Sequence, residues 1–333
     1  MKSRREFLKK AATGALVLAS RSKPGLARIL DREAMPAVSK VVVAKDSQLH
    51  GPNAHLDEKR VIDLLDAAMT AYTGRDHPVE AWKRIVPAGK VVGLKVNTVG
   101  LKPIATHLSL VLAICERLQQ SGVKAGNILV WERTAEELEA GGFTVSTDRS
   151  RIRCFGSDVA GFEDQVESWG VVRVRLSKIL TRECGVVLNL PVLKDHANSG
   201  VTFAMKNMYG VIKMEDLKSM HSDFCNPAIA DLNCIPEILD KVRMTIGDAI
   251  SAQYEGGPLF HPEHLWHPNA LIVGEDRVAV DHTAWTMIER KRAEVGLPTL
   301  AAAGRAPAYI ATAADADHRL GTNDPQRFQL VEA

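Results

Sequence analysis

The chain predicts an α/β fold: a mostly parallel, doubly wound sheet with helices on both faces. Three observations predict it. Short apolar runs of strand length alternate with stretches of helical period from Lys40 onward. One run, Gly185–Leu190, is almost wholly apolar, as expected of a strand covered on both faces. Polar residues recur directly after these runs, at the edge where a parallel sheet gathers its C-terminal strand ends.

The elements follow in order. Met1–Ala27 reads as an export signal. Ser3-Arg4-Arg5-Glu6-Phe7-Leu8-Lys9 fits the twin-arginine pattern, and Ala11–Ala19 is a weakly hydrophobic core too short to span a bilayer. Cleavage is expected at Gly25-Leu26-Ala27, leaving residues 28–333 as a single α/β domain with no transmembrane segment. Val41–Ala44 is the first strand. Asp57–Tyr72 places Val61, Leu64, Leu65, Ala68 and Met69 at helical spacing. Val91–Val96 is a second strand, followed by a helix at Leu108–Gln120 that Gly122 ends. Ile128–Trp131 is a third strand, and the helix Ala135–Ala140 stops at Gly141-Gly142. Ala135–Gln165 as a whole is loop-rich. Further strands are expected at Val171–Val174, Gly185–Leu190, Met244–Ile246 and Leu271–Val273. Helices are expected near Ala228–Val242, Val278–Arg292 and Pro307–Ala314. The tail after Asp315 is polar and expected to be loosely held.

Pro191 cannot donate to a ladder and marks the end of the buried strand. A polar loop with Lys194, Asp195, His196, Asn198, Ser199 and Gly200 is expected next. A helix should begin near Val201, carry Lys206 and Asn207, and stop at Gly210. A loop delivered by a buried strand to a helix start suits an anion.

Composition is that of a globular protein, with 46% hydrophobic and 25% charged residues. The formal charge of +2 is carried by the leader. Without its seven Lys/Arg and one Glu, 35 basic residues face 39 acidic ones, which gives no support for nucleic-acid binding. The five cysteines are scattered, without C-x-x-C, a cluster motif or C-x-x-C-H, so iron–sulfur and haem roles are disfavoured. Most are expected to be buried thiols. No G-x-G-x-x-G, Walker or G-x-S-x-G motif occurs.

The chemistry-bearing residues stand at strand ends. Lys95 and Asn97 follow the second strand, Glu132 and Arg133 the third, Asn189 to His196 the buried one, and Asp248 follows Thr245-Ile246-Gly247. Lys194 and Lys206 are the candidates for neutralising an anion, or for an amine of lowered pKa if desolvated. His196 is the candidate for proton transfer. Lys95, Asn97, Arg133, Asn189, Asn207 and Asp248 are candidate ligand-binding residues. No cofactor is identified; a divalent metal is left open, with His196, His221 and Asp248 as candidate ligands. The run HPEHLWH spaces His261, His264 and His267 evenly, but Pro262 and Pro268 break the helix that would align them, and H-E-x-x-H is absent.

The segments VGLKVN (92–97), WER (131–133), LNLPVLKDHANSGVTFAMKNMYGVI (188–212), ADLN (230–233), GDAI (247–250) and DRVAVDHTAW (276–285) resemble the domain-of-unknown-function family 362. The resemblance covers about 90–290. It implies as motif positions Lys95, Asn97, Asn189, Pro191, Lys194, His196, Gly200, Lys206, Asn207, Gly210, Asp248 and Asp281. Some members of that family carry a ferredoxin-like cluster domain, whose cysteines this chain lacks.

The expectation is an exported protein, periplasmic or extracytoplasmic, carried folded by the twin-arginine translocation machinery. It would bind a small anionic molecule or a metal-bound cofactor, with acid–base or metal-assisted catalysis. The competing expectation is a non-catalytic periplasmic binding protein, or a maturation factor for an exported redox enzyme.

Overall fold

Strand β1 (Ser39–Lys45) shows how the sheet is covered. Val42 and Ala44 enter one apolar core, and Val41 and Val43 another. This is the period-two alternation of a strand buried on both faces. The computed structural model describes residues 38–50 and 55–333, so the expected signal at Met1–Ala27 lies outside the described residues.

Helix α1 (Glu58–Thr73) starts at Asp57, whose carboxylate accepts from the amides of Lys59 and Arg60, a cap worth ~1 kcal/mol. Gly74, at φ 67°, ends it in the left-handed region that glycine adopts cheaply. Helix α2 (Pro78–Ile85), which the pattern did not signal, opens on proline where no amide partner is needed. Strand β2 (Val92–Lys95) and helix α3 (Leu108–Gln120) follow as expected. Val61, Leu65, Trp82, Leu110 and Ile114 bring α1, α2 and α3 onto the first core.

Strand β3 (Ile128–Trp131) leads to helix α4 (Ala135–Ala140), capped by Thr134. The supposedly loop-rich section beyond it also holds strand β4 (Arg153–Cys154) and a one-turn helix α5 (Ser157–Ala160). Strands β5 (Glu167–Trp169) and β6 (Val172–Val174) form an antiparallel pair apart from the main sheet.

Strand β7 (Val186–Asn189) is the buried run. Pro191 does not end the sheet. It lacks a donor, but its carbonyl accepts the Asp248 amide at 2.8 Å, and strand β8 (Val192–His196) continues beyond it. Strand β9 (Gly200–Thr202) returns antiparallel, pairing Thr202 with Lys194 and Gly200 with His196. The expected loop at 194–200 and the helix expected from Val201 are therefore corrected to a hairpin. A 3₁₀ stretch, Lys206–Val211, follows it.

The helix expected at Ala228–Val242 is two helices, α6 (Ala228–Asn233) and α7 (Pro236–Lys241), because Pro236 can open a helix but not continue one. Strand β10 (Val242–Gln253) is far longer than expected, so Asp248 lies within it rather than after it. Strands β11 (Leu265–Trp266) and β12 (Ala270–Gly274) precede helices α8 (Arg277–Glu294) and α9 (Tyr309–Ala314). The tail is not loosely held: strand β13 (Phe328–Glu332) pairs with β1, and Asp276 accepts from both Ser39 Oγ and the Thr322 amide.

The main sheet runs β13-β1-β12-β10-β7-β2-β3-β4. Neighbours from β10 to β4 are parallel, as are β13 and β1; β12 is antiparallel to both its neighbours. Helices α1 to α3 cover one face, and α8 covers the other through Ala279, Val280, Ala284 and Ile288. The fold is α/β, with a mixed, mostly parallel sheet. Among the described residues no helix is long and apolar enough to cross a membrane. All five cysteines are buried, and none is in a disulfide.

Candidate functional site

Parallel register brings the site together. Lys95 of β2 stands level with Trp131 of β3 and Asn189 of β7. The residues just beyond these positions therefore emerge at one edge. Three asparagines tie the strand ends. Asn207 Nδ2 donates to Asn189 Oδ1 at 2.7 Å, Asn97 Nδ2 donates to Asn207 Oδ1 at 3.0 Å, and Asn189 Nδ2 donates to the Ala204 carbonyl at 2.8 Å. Each is buried, so the network fixes amide orientations that would otherwise be costly.

Beneath it, Lys95 Nζ pairs with Glu132 Oε1 at 2.8 Å and donates to the Val96 carbonyl at 2.7 Å. Burial pushes the Lys95 amine below its usual range, against the pull of Glu132. Gly210 crosses directly above this pair. A Cβ there would lie 2.4 Å from Glu132 Oε1 and 2.7 Å from Lys95 Nζ. Glycine at this position serves close backbone approach, not the helix stop expected of it.

Above the network opens a cleft of about 200 Å³, with Asn97, Glu132, Arg133, Lys194, His196, Lys206, Asn207 and His221 in its lining. Lys194 is fully buried; its Nζ donates to Asn97 Oδ1 at 2.9 Å and to the Val99 carbonyl. Burial lowers its amine to about 7. Lys206 Nζ lies 3.8 Å above the Tyr209 ring and 3.8 Å from Cys225 Sγ, and burial lowers it to about 8. Arg133 is spent on Glu137. Glu132 Oε2, buried in the same lining, has no hydrogen-bond partner among the described residues.

The two histidines present opposite faces of their chemistry. His196 Nδ1 accepts from the amides of Asn198 at 3.0 Å and Ser199 at 3.2 Å. An accepting Nδ1 leaves the proton on Nε2, and burial followed by the Lys206 charge holds the ring neutral, lowering it to about 2. His196 is thus a hydrogen-bond donor rather than a base. His221 Nδ1 faces the Leu217 carbonyl at 3.1 Å, so it carries the hydrogen and leaves the Nε2 lone pair open. Burial lowers His221 as well. The rings stack with centroids 6.3 Å apart.

Of the residues singled out from sequence, Asn97, Arg133, Lys194, His196, Lys206, Asn207 and His221 line the cleft. Lys95 and Asn189 support it from behind. Asp248 does not join them. It accepts from the His107 amide at 2.7 Å and faces His107 Nδ1 at 2.8 Å, so His196, His221 and Asp248 do not converge as a metal-ligand set. Asp281 is a turn anchor, accepting from the amides of Ala204 at 2.6 Å and Met205 at 3.2 Å beside Lys206; burial raises its carboxyl to about 7. Glu132 and Tyr209 belong to the site, but sequence reasoning gave neither a role. Glu132 was visible at a strand end, and Tyr209 stood within the 188–212 segment that carries the family resemblance, but among apolar residues and with no role assigned.

The family model described as "Domain of unknown function (DUF362)" matches residues 92–286. A search of curated proteins finds no match. Among solved structures, a crystal structure of a Thermotoga maritima protein is similar at 12% identity and a TM-score of 0.46. That alignment covers 71% of this chain and 59% of the other, so the chain spans less than two thirds of the length of that protein. The chain belongs to the family that the matching model describes.

Proposed function

We propose that this member of the family binds a small anion, a carboxylate or phosphate, in the cleft and carries out acid–base chemistry on it. The observation that carries the reading is the meeting of two buried amines, Lys194 and Lys206, in one cleft where no carboxylate among the described residues forms an ion pair with either. Desolvated ammonium groups are costly, and an incoming anion would offset that cost for both. Glu132 Oε2, lacking a donor among the described residues, favours an anion that also carries a hydroxyl or amino hydrogen.

Proton transfer divides between the two histidines. His196 Nε2–H is oriented as a donor by the two amides behind it, and the open Nε2 of His221 is the acceptor. Asn97 and Asn207 orient the ligand, since their amides are fixed by neighbours. The Ser3–Lys9 twin-arginine pattern supports a reading in which the protein is exported folded and acts outside the cytoplasm.

The test is a thermal-shift screen of phosphate and of small hydroxy- and amino-carboxylates against wild type, Lys194→Met and Lys206→Met. Stabilisation of wild type by one of these anions, lost in both variants, supports the reading. Indifference of wild type to every anion, or equal stabilisation of the variants, sinks it.

A further inference from the structure

The loop between β10 and β11 carries a second cluster of chemically competent groups. His261, Glu263 and His264 each offer one ligand atom, and these atoms lie within 4.8 Å of one another. His267, the third histidine of the run, is not among them; its Nδ1 faces Ser251 Oγ at 3.1 Å. Two imidazoles and a carboxylate are the donor set of borderline divalent ions such as zinc. Bonds of about 2.1 Å at tetrahedral angles put ligand atoms roughly 3.4 Å apart. His261 Nδ1 and Glu263 Oε1 already stand at 3.3 Å.

The backbone holds the set in place. The His264 amide donates to the His261 carbonyl at 3.0 Å, which closes a 3₁₀ turn between the two histidines. Gly256, at φ 84°, accommodates the His261 ring: a Cβ there would meet its Cδ2 at 2.7 Å. The Tyr254 ring stands edge-on to His264 at 5.4 Å. His264 Nδ1 is buried and has no hydrogen-bond partner among the described residues, a state that costs ~1–3 kcal/mol unless a donor, acceptor or ion meets it.

We propose that His261, Glu263 and His264 form a binding site for a first-row divalent transition-metal ion, with water completing the coordination. The ion pins the loop whose Pro258 lines the cleft. The same loop is tied to strand β8 where the Gly257 amide donates to Asp195 Oδ1 at 2.7 Å. Its role is structural, and it stands apart from the anion chemistry.

The experiment titrates the metal-free full chain with Co²⁺, following visible d–d absorption, and then displaces the ion with Zn²⁺. One Co²⁺ per chain is expected for wild type and for the surface control His77→Ala. His264→Ala and His261→Ala should bind at least about ten-fold more weakly, with unchanged circular dichroism. Absence of stoichiometric Co²⁺ binding in wild type overturns the proposal. So does affinity undiminished in both histidine variants.

Discussion

Lys95 and Glu132 form an ion pair at 2.8 Å in which neither side chain is more than 2% exposed. The pair joins the ends of β2 and β3 and supports the asparagine network under the cleft. Removing one partner leaves the other charge buried alone, which costs far more than the pair itself contributes. Lys95→Met should therefore lower stability by ~3–5 kcal/mol in chemical denaturation. The double variant Lys95→Met/Glu132→Leu should recover much of that loss. A double variant no more stable than Lys95→Met would refute the account of this pair.

Gly210→Ala tests the close approach above the same pair. Its Cβ would fall 2.4 Å from Glu132 Oε1, and the crowding involves the ends of two buried, mutually bonded side chains. A loss of ~1–3 kcal/mol is expected, together with weakened ligand binding as the lining shifts. A fully stable variant with intact binding would show that the glycine is incidental.

The tautomers of His196 and His221 can be read by ¹⁵N NMR. His196 should show a protonated Nε2 and an unprotonated Nδ1, and it should not titrate across the physiological range, because burial and Lys206 keep it neutral. His221 should show the reverse, with hydrogen on Nδ1 facing Leu217. An imidazolium signal for His196 near neutral pH would contradict the proposed division of donor and acceptor.

The depressed lysines also predict how stability depends on pH. A lysine lowered from its ordinary value in the folded state binds fewer protons there than in the unfolded chain between the two pKa values. Lys194 at about 7 and Lys206 at about 8 should thus make ligand-free stability rise as pH climbs through and above these values. Replacing both with methionine should flatten that rise in denaturation curves taken across this range. A slope unchanged by the double substitution would show that the lysines are not desolvated.

Much of this was legible in the sequence because burial leaves a mark. Gly185–Leu190 could be read as a covered strand from its apolar run, and the polar residues after the strands pointed to the edge where Asn97, Lys194 and Asn207 meet. The hairpin at 192–202 was not legible. Pro191 reads as a terminator, yet only its donor is missing, and its carbonyl keeps the ladder through Asp248. In β8, Lys194 and His196 face a partner-lined cleft and Asp195 faces Arg305 and the Gly257 amide, so none of the three meets solvent and their composition imitates a loop. Gly210 imitates a helix cap for a similar reason: sequence shows the absent side chain but not the Lys95–Glu132 pair that requires it. The tail strand Phe328–Glu332 holds Phe328, Leu330 and Val331, but it is a short, partly exposed edge strand after a polar stretch, and that stretch hid it.

The most direct measurement is calorimetric titration of the best-binding anion at about pH 6 and about pH 9, either side of the two lysine values. Tight binding is expected at the lower pH, where both amines carry charge, and a marked loss at the higher. The pH dependence should disappear along with the affinity in Lys194→Met/Lys206→Met. Affinity that is equal at both pH values, or that survives in the double variant, would contradict an anion site built on these two lysines.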